Sequence, residues 1–544
     1  MLVEEVKQGK EKRLKDLVMV SLTSAPPHST ALVFRDQKSE IEAISYGKLL
    51  SASCALEEEL RAIGVDGKEV LCIHLDQDSP EILNYIVVLI TALRIDCPIH
   101  FLERFSLVGM EETGSRILLS SFKPRALEHA SGSSTSPLAS IPLLLSLLPR
   151  PKKSLNLQGV VYLVHTSGTT GIKKLVLATE SSVLPNVHDF LSIFKPLPTD
   201  TVFMCSPPTF DPHVVDVFVA LCSGASLMLI PRGLKSKGGL YRLLFSGERR
   251  VSILQTTPSL LDRIMEDHPV PSCLRVVAVG GETTKASTSA ILARLWEAGC
   301  RTFHLYGLTE MSVWQSAVVL DTPSLLSRPP ILVANVKQLL SETLVRLDDQ
   351  CELIVSSSSR RCLVEGLEVA EYKTGDLGHW EGDLLFCDGR TDDIVKVLGK
   401  KVSLARVEAV LTNALSTKVV CTTEDSFLVA VVEDNKDHEM AALEVIKAAR
   451  EHLETHELPS RIRMVAEVPV NVHGKVDRRR LGEEVSRSKE TLEQWLHQAW
   501  AILTGTGPCL SDNFIENGGD SFSALLLVNQ RLVLLLNIVF TPFS

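Results

Sequence analysis

The chain has 544 residues, of which 45% are hydrophobic and 22% charged, and its formal net charge is -10. This length predicts two or three globular domains, and the acidic balance without a basic tract argues against a nucleic-acid partner. The 12 cysteines include no Cys-x-x-Cys pair and no Cys/His cluster, which disfavours zinc or a disulfide framework and indicates reduced thiols inside a cell.

No secretory or membrane-spanning segment is predicted. Residues 1–17 carry charges where a signal peptide needs an apolar stretch. The apolar run 141–148 is too short to span a bilayer. A longer run, 524–540, is interrupted by Asn529-Gln530-Arg531, which favours a soluble helix over a membrane anchor. We therefore expect a cytoplasmic protein without a membrane span.

The first part of the chain, residues 12–130, alternates between strand and helix patterns. Apolar, β-branched runs predict strands at 31–34 and 70–74. Helical apolar spacing predicts helices at 46–63 and 85–93. This alternation predicts the α/β class for the beginning of the chain.

A serine- and proline-rich stretch at 132–153 predicts a surface linker. An apolar run predicts a strand at 160–164, and a polar loop follows it. The loop consists of Thr166, Ser167, Gly168, Thr169, Thr170, Gly171, Ile172, Lys173 and Lys174. Its glycines allow a tight turn with exposed N–H groups, and its hydroxyls and lysines suit a polyphosphate. It lacks the glycine spacing of a Walker loop. Taken alone, an ordinary polar turn explains it equally well.

Further segments combine glycine with acidic, basic and aromatic residues. They are Gly280-Gly281-Glu282 after a strand predicted at 276–279, His304-Leu305-Tyr306-Gly307-Leu308-Thr309-Glu310, Tyr372-Lys373-Thr374-Gly375-Asp376-Leu377, Gly389-Arg390-Thr391-Asp392 and His473-Gly474-Lys475-Val476-Asp477. A glycine turn after a strand often lets backbone approach a nucleotide. Each segment alone could be a turn, but together they form an ordered set.

This set resembles the signatures of the adenylate-forming enzymes, which comprise acyl-CoA synthetases, luciferases and the adenylation domains of peptide synthetases. The sequence departs from the usual motifs at four positions, where Lys173 replaces proline, His304 and His473 replace asparagine, and Lys401 replaces arginine. The resemblance implies an α/β fold with three parts. They are a large adenylation domain of mixed sheets, helices and a small distorted barrel at 12–388, a small mobile α+β subdomain at 389–482, and a partial helical carrier domain at 488–544.

The resemblance also implies an ATP site with Mg²⁺. The polar loop, Gly281 and Glu282 would contribute to it, Tyr306 would stack on adenine, Thr309 would contact phosphate and Glu310 would hold the metal. Asp376 would bind the ribose hydroxyls and Arg390 the ribose or phosphate, while Asp392 would be the hinge between the two adenylation parts. Lys174, Glu310 and Lys475 would be catalytic.

Asp211, in Phe210-Asp211-Pro212, has two interpretations. In relatives that activate amino acids, the aspartate at this place binds the substrate ammonium, and a carboxylate in a dry pocket is the natural partner of an amine. Alternatively, Asp211 caps a helix predicted at 212–220, a frequent role for aspartate before proline.

The end of the chain resembles the attachment motif of carrier domains, in which Ser521 would carry 4′-phosphopantetheine added by a phosphopantetheinyl transferase. The segment runs from Asp512 to Ser521, with Gly518-Gly519-Asp520 before the serine. An ordinary helix cap before residues 522–528 is the alternative. Only 23 residues follow Ser521, so we expect this carrier to be incomplete.

The resemblance implies ATP-dependent activation of a carboxylic acid as acyl-AMP, followed by transfer to the pantetheine thiol and then to an unknown acyl acceptor. The segment around Asp211 most resembles family members that activate β-alanine or another small amino acid, and these usually continue into a β-propeller, before which this chain would be truncated. Two alternatives stay open. One is a fatty- or aryl-acyl-CoA synthetase that uses free CoA, and the other is a non-catalytic nucleotide-binding scaffold, which the four departures motivate.

Overall fold

A computed structural model of the chain describes most of its first 481 residues. The described residues are 13–36, 41–102, 107–121, 131–138, 141–148, 155–167, 173–234, 239–265, 268–282, 284, 286–322, 325, 331–391, 394–397, 400–415, 417–424, 427–433, 445, 449, 453, 457–459, 461–470, 476–477 and 480–481. They form two compact units, the first made of residues up to Thr374 with His379–Cys387, and the second of Gly375–Gly378 with residues from Asp388 onward.

Helices of the first unit alternate with strands over most of its length, as expected for an α/β fold. They are α1 (Leu14–Ser24), α2 (Tyr46–Ala62), α3 (Leu83–Arg94), α4 (Leu107–Thr113), α5 (Glu180–Phe194), α6 (Pro212–Ser223), α7 (Leu240–Phe245), α8 (Pro258–Met265) and α9 (Ala286–Glu297). Short 3₁₀ turns lie at Pro80–Ile82, Arg232–Leu234, Thr309–Met311 and Val336–Gln338. The helices predicted at 46–63, 85–93 and 212–220 are therefore confirmed, with small changes of boundary.

The first large sheet has eight strands in the order β15-β14-β13-β12-β10-β11-β1-β2. In chain order they are β1 (Thr30–Arg35), β2 (Ile41–Ser45), β10 (Thr201–Phe203), β11 (Ser226–Leu229), β12 (Ile253–Thr256), β13 (Val276–Gly280), β14 (Arg301–Tyr306) and β15 (Ser316–Val319). The six strands from β14 to β1 in this order run parallel, while β2 and β15 close the edges antiparallel. The carboxyl ends of the parallel strands therefore open onto one edge, where ligands bind in such sheets.

The second large sheet has nine strands in the order β20-β19-β9-β8-β4-β3-β5-β7-β6. They are β3 (Leu71–His74), β4 (Ile99–Phe101), β5 (Ile117–Ser120), β6 (Ser131–Leu138), β7 (Ile141–Leu147), β8 (Val160–Ser167), β9 (Lys173–Thr179), β19 (Leu363–Val364) and β20 (Leu367–Glu368). Strands β8 and β9 are antiparallel, and their pairing ends at Ser167 and Lys173, which belong to the two ends of the polar loop.

The prediction of a surface linker at 132–153 is wrong, because β6 and β7 occupy most of it. β7 pairs antiparallel with both β5 and β6, so the serine-rich segment becomes the edge strand of the sheet. Leu143 and Leu145, two residues apart on one face of β7, are buried. Their burial stabilises a strand where the serine and proline content suggested a loop.

A third sheet has five strands in the order β16-β22-β21-β18-β17. Its strands are β16 (Ile331–Asn335), β17 (Thr343–Leu347), β18 (Glu352–Ser357), β21 (Glu371–Glu381) and β22 (Leu384–Arg390). The predicted α/β class with several mixed sheets is confirmed.

The core of the first unit consists of helices packed between strands of the two large sheets. One buried cluster joins α1, α2, α3, α5 and α6 to both sheets, for example through Leu32, Leu71 and Phe218. A second cluster packs α7, α8 and α9 against the opposite face of the eight-stranded sheet, through residues such as Val33. Leu32 and Val33 face opposite sides because side chains alternate along a strand.

The second unit has its own small core. It contains a hairpin of β23 (Ile394–Val397) and β24 (Lys400–Ser403), the helix α10 (Leu404–Leu415), and a sheet of β25 (Val419–Glu424), β26 (Phe427–Glu433) and β27 (Arg461–Val465). Val407 and Leu411 on α10 pack with Cys421 and Leu428 of this sheet. Within the described residues, no helix combines the length and the apolar character needed to cross a membrane.

Candidate active site

The site is built at the carboxyl end of β14. Tyr306 is its last residue, Gly307 follows, and a 3₁₀ turn, Thr309–Met311, carries Glu310. The bare Cα of Gly307 is required, because a Cβ there would lie 1.9 Å from the Val313 carbonyl oxygen. The returning chain therefore packs directly on this glycine, which fixes the turn that presents Thr309 and Glu310.

The end of the β8–β9 hairpin meets this turn. Thr166, close to the end of β8, donates its hydroxyl to Glu310 Oε1 at 3.2 Å. The Tyr372 hydroxyl donates to the same oxygen at 3.3 Å. Lys174, the second residue of β9, places its Nζ 6.0 Å from the centre of the Tyr372 ring. Residues from two separate motifs thus converge on the carboxylate of a third, with a lysine next to them.

Glu310 is the carboxylate predicted to bind Mg²⁺. Among the described residues, no group of three or more His, Cys, Asp or Glu side chains is placed to hold a metal. In nucleotide sites Mg²⁺ commonly takes one or two carboxylates and fills its other positions with water and phosphate oxygens. A single glutamate beside a polar loop suits a Mg²⁺ ion that binds together with a triphosphate.

Asp211 lies next to this cluster, in the segment between β10 and α6. Thr309 donates its hydroxyl to Asp211 Oδ1 at 2.9 Å. The Asp211 side chain is only 2% exposed, and it makes no capping hydrogen bond to α6. The interpretation of Asp211 as a helix cap is therefore wrong. Its Oδ2 is buried and has no hydrogen-bond partner among the described residues.

Burial raises the pKa of Asp211 to about 7. The hydrogen bond from Thr309 lowers this pKa, while the negative charge of Glu310 raises it. A positive partner stabilises the ionised form of a carboxylate in this environment, because an ammonium group would offset the loss of hydration.

The loop around Asp211 is held by a histidine. His213 Nδ1 lies 2.7 Å from the Phe210 carbonyl oxygen, which can only accept, so Nδ1 carries the proton. The neutral Nε2 then accepts the Tyr85 hydroxyl at 2.5 Å. Tyr85 and His213 are both buried. This pair fixes the first turn of α6, on which the position of Asp211 depends.

Two predicted nucleotide residues lie in a turn after β13. Gly281 has φ 81°, and a Cβ built there would have open space. Glu282 accepts a hydrogen bond from the backbone N–H of Ser259, in the first turn of α8, at 3.3 Å. Tyr306 is 8% exposed and packs with Met311 and Leu353. Adenine stacking by Tyr306 and nucleotide contacts of Gly281 and Glu282 stay predictions.

In the second unit, Asp376 and Arg390 form an ion pair. Arg390 Nη1 donates to Asp376 Oδ1 at 3.0 Å. Gly375 has φ 75°, and a Cβ there would lie 2.8 Å from Arg390 Nη2. Glycine is therefore needed both for the backbone conformation and for the approach of the guanidinium group. The two predicted ribose or phosphate ligands are brought together.

Several predicted site residues lie outside the described residues: Gly168, Thr169, Thr170, Gly171, Ile172, Asp392, Lys475 and Ser521. Ser167 and Lys173 are described as paired backbone positions in the β8–β9 hairpin.

Other residues that shape the site were not predicted. Tyr372 belongs to a recognised motif, but nothing in the sequence indicated its bond to Glu310. Asn186, on α5, forms two hydrogen bonds to the chain that follows Glu310. In the sequence, Asn186 is only a polar residue with apolar neighbours, and this pattern does not indicate a function.

Comparison with known proteins identifies related sequences and structures. The beta-alanine-activating enzyme of Mus musculus is 30% identical over 429 residues, which cover 68% of this chain and 37% of the mouse protein. The chain thus spans little more than a third of that relative. A solved four-domain nonribosomal peptide synthetase bound to AMP and glycine superposes with a TM-score of 0.68 at 19% identity, over 97% of this chain and 41% of that one.

A smaller enzyme has the same fold over nearly its whole length. The o-succinylbenzoate CoA synthetase of Bacillus subtilis, in complex with its acyl-adenylate intermediate, has a TM-score of 0.68 at 18% identity, over 89% of this chain and 99% of that one. At such identities the two structures establish the fold alone. The family model described as AMP-binding enzyme matches residues 22–352, more than half of the sequence. The chain therefore belongs to the AMP-binding enzyme family.

Proposed function

We propose that this chain is an ATP-dependent, AMP-forming acid ligase whose substrate is a small carboxylic acid with an amino group. A carboxylate oxygen of the acid attacks the α-phosphorus of ATP. The bond from that phosphorus to the bridging oxygen breaks, so that pyrophosphate leaves and an acyl adenylate forms. Membership of the AMP-binding enzyme family supports this reaction class.

The observation that carries the proposal is the bond between Thr309 and Asp211. It joins the motif predicted to bind ATP to a buried carboxylate that has one oxygen without a partner among the described residues. An ammonium group could donate to that oxygen while the acid's carboxylate lies toward the phosphates. The same contact therefore connects nucleotide binding to recognition of the amine.

The side chains around Glu310 suit a triphosphate. Lys174 brings positive charge next to Tyr372, and Thr166 and Tyr372 orient the Glu310 carboxylate through their hydroxyls. With Mg²⁺ bound at Glu310, the metal would neutralise charge on the phosphate oxygens. The remaining work of the protein is to position the two substrates and stabilise the developing charge.

β-Alanine is the substrate that we propose. The name of the mouse relative identifies this acid as that protein's substrate, and the chain aligns with it over 68% of its own length. The proposed divisions at 12–388, 389–482 and 488–544 would then comprise the two adenylation parts and a carrier segment. Lys475 would act in adenylation, Asp392 as the hinge, and Ser521 would bear the acceptor thiol.

Transfer to a thiol is the second proposed step. The acyl carbon would exchange its bond to the AMP oxygen for a bond to sulfur, and AMP would leave while the thiol proton passes to solvent. Modification of Ser521 is tested by intact-mass measurement after incubation with a phosphopantetheinyl transferase and coenzyme A. A mass gain of one phosphopantetheinyl group would support Ser521 as the acceptor. No mass gain would favour transfer to free CoA instead.

Pyrophosphate exchange into ATP tests the proposed reaction directly. The panel should contain β-alanine, glycine, a long-chain fatty acid and propionate, which matches β-alanine without the amine. We expect exchange with β-alanine and little with propionate. The strongest exchange with the fatty acid would instead indicate an acyl-CoA synthetase. ATP binding without exchange for any acid would indicate a nucleotide-binding scaffold.

A further inference from the structure

The chain immediately after Glu310 contains an unusual backbone turn. Ser312 has φ 59° and ψ 102°, and Val313 has φ 53°. Both residues carry side chains, and a β-branched residue at positive φ is a marked outlier. Such conformations persist only where the surrounding structure holds them, and they concentrate at functional sites.

This turn determines where the Glu310 segment can lie. A Cβ at Gly307 would come within 1.9 Å of the Val313 carbonyl oxygen and 2.7 Å of the Trp314 Cα. The turn therefore rests directly on the backbone of Gly307, between Tyr306 and Thr309. If residues 312 and 313 adopted negative φ, the Val313 carbonyl oxygen would no longer lie against Gly307. The residues that precede Glu310 would then shift as well.

One buried side chain holds the turn from outside. Asn186 on α5 is 0% exposed, and its Nδ2 donates to the Ser312 carbonyl oxygen at 3.0 Å. Its Oδ1 accepts the backbone N–H of Trp314 at 3.3 Å. The side-chain amide therefore hydrogen-bonds to the backbone on both sides of Val313, as the backbone of a neighbouring strand would.

A second amide closes the turn from within. Gln315 Oε1 accepts the backbone N–H of Leu308 at 2.7 Å, and its Nε2 donates to the Met311 carbonyl oxygen at 3.2 Å. Gln315 is local to the turn. Asn186 belongs to a helix that packs in the main core, so it anchors the turn to the rigid part of the unit.

We propose that Asn186 is a positioning residue, which holds the turn at Ser312 and Val313 in its left-handed conformation and thereby places Glu310 against the hydroxyls of Thr166 and Tyr372. This inference rests on the proposed function, because it assigns Asn186 to the Mg²⁺–ATP site. It predicts that loss of the Asn186 amide raises the Mg²⁺ concentration needed for ATP binding, whereas an equally buried substitution that only lowers stability does not.

The test measures binding of a fluorescent N-methylanthraniloyl ATP at increasing Mg²⁺ concentrations, together with the melting temperature. In Asn186→Ala, the Mg²⁺ concentration for half-maximal binding should rise about 10-fold, at the lower end of the loss typical when a residue that orients a metal ligand is removed. Val187→Ala is the matched control, since Val187 is a fully buried neighbour in the same helix. It should lower the melting temperature without changing the Mg²⁺ dependence.

The Ser312→Gly background provides a second, independent test. Glycine adopts positive φ without the steric penalty, so Ser312→Gly should reduce the need for the anchor. In the Ser312→Gly background, Asn186→Ala should then raise the Mg²⁺ concentration for half-maximal binding by no more than about 3-fold. If Asn186→Ala alone does not fold, Asn186→Asp keeps the acceptor for the Trp314 N–H, loses the donor to Ser312, and should shift the Mg²⁺ dependence in the same direction.

The outcomes separate the two claims. An Mg²⁺ shift in Asn186→Ala that shrinks in the glycine background supports the positioning role. A lowered melting temperature without an Mg²⁺ shift, or the same shift in both backgrounds, overturns it while the proposed function stands. A wild-type protein that does not bind the ATP analogue at any Mg²⁺ concentration overturns the proposed function and this inference together.

Discussion

The hydroxyl of Thr309 donates a hydrogen bond of 2.9 Å to the buried carboxylate of Asp211. Thr309 belongs to the motif predicted to contact phosphate, whereas Asp211 lies 98 residues earlier in the chain, before α6. Under the proposed function, the protonation state of Asp211 would affect both substrate binding and the stability of the fold.

The first prediction concerns the pH dependence of substrate binding. Burial raises the pKa of Asp211 to about 7, so the carboxylate that pairs with an ammonium group forms only as the pH rises through this value. The KM for β-alanine in pyrophosphate exchange should therefore fall between pH 6 and 8, by about 10-fold per pH unit below the pKa. Thr309→Val removes the bond that lowers the pKa and should move this transition to higher pH. A KM for β-alanine that does not change over this range would contradict the assignment.

The second prediction concerns stability. Because the folded-state pKa of Asp211 is raised, folding favours the protonated acid. The stabilisation is fully present below the unfolded-state pKa and is lost as the pH rises through about 7. Asp211→Asn cannot lose a proton, so between pH 5 and pH 8 its melting temperature should fall less than that of the wild type, by ~2–4 °C. Scanning calorimetry without substrates measures this difference, and parallel curves for the two proteins would contradict it.

The third prediction separates the two contacts of Tyr372. Tyr372→Phe removes the hydroxyl bond to Glu310 but leaves the ring near Lys174. Exchange should fall about 10-fold, as expected for loss of a bond to a charged group. Tyr372→Ala also removes the cation–π contact, worth about 0.5–1 kcal/mol, and should reduce exchange about 3-fold further. Equal activities of the two variants would show that the ring does not contribute.

The sequence allowed the local parts of the site to be predicted, because each motif is a short strand-and-turn segment. The strand at 160–164, the polar loop and the segments at 304–310 and 372–377 were recognised in this way, whereas β9 was not. Contacts between distant segments were not predictable. Asn186 binds residues 126 and 128 positions further along the chain, and no local pattern indicates such a partner. The strands β6 and β7 were missed because their serines and prolines obscured two buried leucines.

The fourth prediction concerns the Asp376–Arg390 pair. Gly375→Ala places a Cβ 2.8 Å from Arg390 Nη2 at a position with φ 75°. We expect the KM for ATP to rise about 10-fold, since strain of roughly 1–2 kcal/mol and displacement of Arg390 act together. Gly382→Ala is the control, because Gly382 has φ 62° but no atom within 4 Å of a built Cβ. It should lose stability and keep its KM for ATP. An equal change of KM in both variants would implicate backbone strain rather than the ion pair.

The central claim is that Asp211 recognises an amine, and exchange by Asp211→Asn with β-alanine and with propionate tests it most directly. A buried ammonium without its carboxylate costs roughly 3–5 kcal/mol, so exchange with β-alanine should fall by about 10²–10⁴-fold. Exchange with propionate should stay the same or increase, because the neutral amide no longer demands a positive partner. Equal losses for the two acids, or unchanged exchange with β-alanine, would contradict the role proposed for Asp211.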